Sequence, residues 1–144
     1  MSKNHPVTEI TSKIALTVQS TDRISSVYRL MKSQSLAHIT VLEENQIVGI
    51  ISRKTIKQLG FGYEFDGHDN IEAGILDMLQ VGQIMERDIP MVTLTSSIED
   101  VAELMALGAF TALPTVEAGK PVGIIDINDI VLFLLKSPAV NHPV

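Results

Sequence analysis

Apolar and polar positions along the chain follow one programme twice. Ile24, Val27, Tyr28 and Met31 recur at helical spacing, and Ile98, Val101, Ala102 and Met105 do the same further on. A brief strand is expected ahead of each helix, near Leu16–Val18 and near Met91–Leu94. After each helix, two apolar runs separated by polar residues predict a hairpin. The first is His38–Leu42, turn Glu43–Gln46 and Ile47–Ser52; the second is Ala112–Val116, turn Glu117–Lys120 and Pro121–Asp126. A further helix follows each hairpin, over Arg53–Leu59 and Asn128–Lys136. Ser96 and Glu99 have the spacing of a capping box, and Gly108 stands where a left-handed C-terminal cap would fall.

The two halves are copies. Val48-Gly-Ile-Ile-Ser-Arg-Lys-Thr-Ile56 is matched by Val122-Gly-Ile-Ile-Asp-Ile-Asn-Asp-Ile130, with Gly49 and Gly123 74 residues apart (123 − 49). At that shift Val7–Leu59 aligns with Val81–Phe133 without a gap. Val7/Val81, Val18/Val92, Ile24/Ile98, Val27/Val101, Met31/Met105 and Ile56/Ile130 all coincide. The fold class is therefore mixed α/β (α+β): two β-α-β-β-α repeats, each opened by a short turn, Val7–Thr11 or Val81–Met85. Such a two-copy repeat is expected to pack about a pseudo-twofold axis. The repeats are assigned to 7–59 and 81–136, with a linker over 60–80 and a disordered tail over 137–144. Within the linker, Asp69 and Glu72 have capping-box spacing. Ile71, Ile75, Met78 and Leu79 predict one apolar face of a helix over Asn70–Gln80.

Composition narrows the function classes. With 144 residues and an apolar fraction of 45%, the chain can bury a real core, but only six residues are aromatic, so aliphatic side chains must fill it. A net charge of −6 argues against a nucleic-acid surface. The absence of cysteine removes disulfides and thiolate metal sites. The start lacks the apolar stretch of a signal peptide, and the run Ile130–Leu135 falls far short of the ~20 residues of a membrane span. A cytoplasmic protein with neither a membrane nor a nucleic-acid partner is expected.

A strand running into a helix, with the pattern Gly-apolar-apolar-[Ser/Thr]-x-x-Asp, resembles the CBS domain. The pair resembles a tandem CBS module over about residues 7–135. Val81-Gly-Gln-Ile-Met85 is similar to the family's opening segment, with Gln83 where Asp is usual, and Ala112-Leu-Pro-Thr-Val116 is similar to its second strand. The resemblance implies a regulatory module that forms homodimers. It also implies an adenosine-containing ligand (AMP, ADP, ATP or S-adenosylmethionine) between the repeats, with no covalently required cofactor. By the same resemblance, the Asp closing the motif holds the ribose, and the Ser/Thr three residues earlier touches phosphate.

On those positions each copy keeps a different part. Copy 2 has Asp129 at the ribose position and Asp126 at the phosphate position, whereas copy 1 has Ser52 for phosphate and Thr55 in place of the carboxylate. The Asp129 site is the better nucleoside site, with a base pocket expected from Thr11, Leu16, Leu36 and Ala37, and with Arg53 and Lys54 near phosphate. Each residue also has a plainer reading. Asp129, Asp126 and Ser52 suit helix N-caps, and Arg53 and Lys54 suit solvated surface positions. His38 suits a partly buried histidine as well as a phosphate contact. Asp66-Gly-His-Asp-Asn70 lacks the alternating spacing of a calcium loop, so no metal site is assigned. Phe61, Tyr63 and Phe65 suit a linker anchored on the core.

Two functions follow. One is a ligand-sensing module that modulates a partner protein. The other is a degenerate pair acting as a ligand-free dimerisation scaffold, which Thr55 and Asp126 favour. No nucleophile–base motif points to an enzyme.

Overall fold

A computed structural model describes residues 5–11, 16–59 and 69–136, with residues 69–73 traced in backbone only. The chain divides into two compact units. One runs from Leu16 to Ile89; the other joins the N-terminal segment, up to Ala15, to everything from Pro90 onward.

The first unit contains strand β1 (Thr17–Gln19), helix α1 (Ile24–Ser33), strands β2 (His38–Glu43) and β3 (Gln46–Ser52), and helix α2 (Arg53–Leu59). Helix α3 (Asp69–Met78), a 3-10 turn at Val81–Gln83 and strand β4 (Glu86–Arg87) complete it. Its sheet has the order β1-β2-β3-β4. β1 runs parallel to β2, with Val18 opposite Val41, and the other pairs are antiparallel. Ile24, Val27 and Met31 from α1 meet Ile39, Val41, Ile51, Ile56, Leu76 and Val81 in the core.

The second unit contains a 3-10 turn at Val7–Glu9, strand β5 (Val92–Thr93), helix α4 (Ile98–Gly108), strands β6 (Ala112–Glu117) and β7 (Lys120–Asp126), and helix α5 (Ile127–Lys136). Its sheet order is β5-β6-β7. Val7, Val92, Ile98, Met105, Leu113, Ile125 and Ile130 are among its buried side chains. Both hairpins carry a bulge at the same repeat position, after Val41 and after Thr115. Both also close in two residues with positive φ, Glu44 and Asn45 (49° and 65°) and Ala118 and Gly119 (52° and 77°). That geometry matches the right-handed strand twist, so each strand beside the turn is one residue longer than the sequence pattern implies.

The opening segments are exchanged between the units. Val7 N–H donates to Ser96 O (3.1 Å) and Ile98 N–H to His5 O (2.7 Å), so the start of copy 1 is bonded to the helix of copy 2. At the 74-residue shift the same bonds recur in the first unit: Val81 N–H to Asp22 O and Ile24 N–H to Leu79 O, both 2.9 Å. Val7 and Val81 are both fully buried where they land. Strand β4, which the sequence pattern does not predict, follows from the exchange by pairing with β3.

Several local expectations shift. The N-cap of α4 is Ser97, not Ser96: its hydroxyl accepts the Asp100 N–H at 3.0 Å, which frees Glu99 to bind His5. The left-handed residue after α4 is Ala109 (φ 56°) rather than Gly108. Gly108 closes the helix because a Cβ there would overlap the Phe110 ring. In α3 the buried residue is Leu76, while Ile75 and Met78 are exposed; the expected contribution of Ile71 lies outside the described side chains. Ser25 Oγ hydrogen-bonds Asp77, tying α1 to α3. Residues 60–68 and 137–144 also lie outside the described part, and with them Phe61, Tyr63, Phe65 and the expected tail.

Candidate functional site

Both strand-to-helix corners are built around an N-cap. At the end of β3, Ser52 Oγ accepts the Thr55 N–H at 3.0 Å, and the two hydroxyls lie 2.8 Å apart. At the end of β7, Asp126 Oδ1 accepts from Asn128 N–H (2.8 Å) and Asp129 N–H (3.2 Å), while Asp129 Oδ2 accepts the Asp126 N–H at 2.9 Å. A reciprocal box of this kind satisfies donors that a helix start leaves open. Each corner is also pinned to the segment before its hairpin, by Arg53 N–H to Ala37 O and by Ile127 N–H to Thr111 O, both 2.8 Å.

Asp129 is more than a cap. It is half-buried, and its Oδ1 has no hydrogen-bond partner among the described residues. Its carboxyl is raised above the ordinary aspartate value, first by burial and then by the Asp126 charge, with the Asp126 N–H bond acting the other way. It also lines a cavity of about 280 Å³ with Glu9, Ile10, Leu132, Phe133 and Lys136. Asp129, Leu132, Phe133 and Lys136 fall at i, i+3, i+4 and i+7, one face of α5, while Glu9 and Ile10 come from the exchanged opening segment. The His5 ring packs edge-on to Phe133, with centroids 4.9 Å apart. The volume is close to the lower end of the range of roughly 300–1,000 Å³ usual for small-molecule sites.

The other expected site residues fall into two groups. Thr11 belongs to the unit that holds Asp129 but does not line the cavity; its hydroxyl donates to Val7 O at 2.7 Å. Leu16, Leu36, Ala37, Ser52, Arg53, Lys54 and Thr55 belong to the Leu16–Ile89 unit. There Leu36 packs on the core, Arg53 is half-buried at the start of α2, and Lys54 is exposed. His38 opens β2, half-buried opposite Ser52. Sequence reasoning missed Glu9, Ile10, Leu132, Phe133 and Lys136. The helical spacing from Asp129 would have found the three on α5, but nothing local points to the opening segment. No helix among the described residues is long and apolar enough to cross a membrane.

A family model for the CBS domain matches residues 7–60 and 81–136. The chain belongs to the CBS-domain family. A relative, the uncharacterized protein MJ1225 of Methanocaldococcus jannaschii, is 24% identical over 135 residues, which is 92% of this chain and 48% of that protein. This CBS pair thus spans about half the length of the curated relative it matches. Among solved structures, the CBS pair of MJ0100 in complex with 5′-methylthioadenosine and S-adenosyl-L-methionine has a TM-score of 0.73 at 22% identity, covering 94% of this chain and 100% of that one. CBSX2 in complex with AMP has a TM-score of 0.69 at 22% identity, over 92% and 97% of the two chains. The tandem α+β architecture of this CBS pair is that of these neighbours.

Proposed function

We propose that this CBS pair is a ligand-sensing regulatory module whose Asp129 cavity holds an adenosine-containing ligand and thereby modulates a partner protein. The observation that carries the reading is the free Oδ1 of a half-buried Asp129 beside an apolar wall of Ile10, Leu132 and Phe133. A carboxylate oxygen accepts ribose hydroxyls, and an aromatic side chain offers a face or edge to a base. The complexes of MJ0100 and CBSX2 with adenosyl compounds support the ligand class. The module acts by binding rather than by chemistry of its own.

Thermal melting of the full chain with adenosine, AMP, ATP and S-adenosylmethionine tests the reading. A ligand at 100 times its dissociation constant stabilises by about 2.7 kcal/mol, a rise of several degrees. No shift with any of them rejects it in favour of the second reading, a ligand-free scaffold built from two copies. That alternative draws on the apolar side chains left exposed on α4 and α5, with Leu107 81%, Leu132 53% and Leu135 56% exposed.

A further inference from the structure

The Asp129 cavity carries more charge than its capping role requires. The equivalent corner of copy 1 caps its helix with neutral groups alone: the Ser52 hydroxyl accepts the Thr55 N–H and donates to the Thr55 hydroxyl. Copy 2 places two carboxylates there, and the opening turn beside it contributes Glu9 where the other opening turn has Gln83. Lys136 lines the cavity seven residues beyond Asp129, about 10 Å along the axis of α5. The α5 face of the cavity therefore has opposite charges at its two ends. Carboxylates stand at the start of the helix and an ammonium two turns on, with Leu132 and Phe133 between them.

We propose that this cavity selects a nucleoside whose sugar carries a zwitterionic, amino-acid-like tail, and that it discriminates against nucleotides. This rests on the reading of Asp129 as the ribose ligand. A phosphate on that ribose would stand within a few ångströms of Asp129, whose carboxylate already feels the neighbouring Asp126 charge. Like charges about 5 Å apart in a partly wet site weaken binding on the order of a hundredfold before salt screens them. A cationic centre at the same place is attracted by the carboxylates. A carboxylate further along the tail is within the span of Lys136.

Calorimetry of the full chain at fixed ionic strength tests the proposal, with S-adenosylmethionine, adenosine and AMP as probes. The expected order of affinity is S-adenosylmethionine, then adenosine, then AMP, each step about tenfold. Lys136→Met weakens S-adenosylmethionine more than adenosine, and Glu9→Gln narrows the gap between adenosine and AMP, with circular dichroism confirming that each variant is folded. AMP binding as tightly as S-adenosylmethionine, and lost in Asp129→Ala, overturns the charge selection while leaving Asp129 as the ribose ligand. An equal loss for both ligands in Lys136→Met overturns the zwitterionic tail. Absence of binding by all three probes overturns the adenosine reading and this proposal with it.

Discussion

His5 and Glu99 lie 94 residues apart and are joined twice: the His5 N–H donates to Glu99 Oε1 at 3.0 Å, and His5 Nδ1 lies 2.7 Å from Glu99 Oε2. Glu99 sits in the first turn of α4, where the helix dipole already favours an anion. The contact fixes the opening segment on the second unit and, through the His5–Phe133 packing, supports one wall of the Asp129 cavity.

Replacing Glu99 by Ala removes both bonds and lowers unfolding stability by about 1–2 kcal/mol, read from the urea midpoint. An unchanged midpoint would mean that the buried Val7 and the backbone bonds to Ser96 and Ile98 hold the segment without Glu99. Burial acts to raise the Glu99 carboxyl, but the His5 N–H, the His5 ring and the Glu99 N–H together bring it below its ordinary value of 4.5. The unfolded chain then binds the proton more readily than the folded one. This stabilisation is present above the unfolded value and is lost as pH falls through the folded one. The gap between wild type and Glu99→Gln is expected to shrink on going from pH 6 into the acid range.

Asp129 has the opposite sign. Its folded value lies above the unfolded 3.8, because burial and then the Asp126 charge disfavour ionisation more than the Asp126 N–H favours it. The folded state holds the proton more tightly, so the benefit is present below the unfolded value and is lost as pH rises through the folded one. Asp129→Asn should therefore gain thermal stability relative to wild type as pH increases from 3 to 7, while losing affinity for ribose. A stability difference that stays constant across that range would contradict the burial argument.

Gly49 is set by space. A Cβ there would overlap the carbonyl oxygen of Glu86 and crowd the Met85 sulfur at 3.1 Å. Gly49→Ala should push β4 off β3 and cost about 2–3 kcal/mol, visible as faster amide exchange at the Gly49–Arg87 pair. Retention of wild-type exchange there would show that β4 can yield without loss.

Thr115 is fully buried in β6, and its hydroxyl has no hydrogen-bond partner among the described residues. The equivalent position in the other repeat is Val41, also fully buried. Thr115→Val should stabilise the chain by about 1 kcal/mol by removing an unsatisfied buried hydroxyl. A lower melting temperature for the variant would reveal a role for the hydroxyl that the fold does not account for.

Much of the architecture is legible in the order of residues. The gap-free duplication, the apolar face of α1 and the extent of α2 follow from periodicity and capping chemistry, which act over a few neighbouring residues. The cap at Ser52/Thr55 and the reciprocal cap at Asp126/Asp129 are local in the same way, since each joins residues three apart. The capping-box spacing pointed to Ser96 with Glu99, whereas Ser97 caps α4 and Glu99 binds the distant His5, a partner that no local pattern reveals. The cavity was half legible: Asp129 announces itself in its motif, and Leu132, Phe133 and Lys136 follow it at helical spacing.

By itself, the sequence determined that two copies of one β-α-β-β-α unit are present, and that copy 2 alone keeps a carboxylate at the end of its motif. Only the tertiary structure decided that the copies trade their opening segments, burying Val7 beside Ile98 and Val81 beside Ile24. The physical reason is that both copies offer nearly the same apolar socket and the same open backbone groups. No local preference tells an opening segment which of the two sockets to fill; the path of the folded chain makes that choice, and with it brings Glu9 and Ile10 to Asp129.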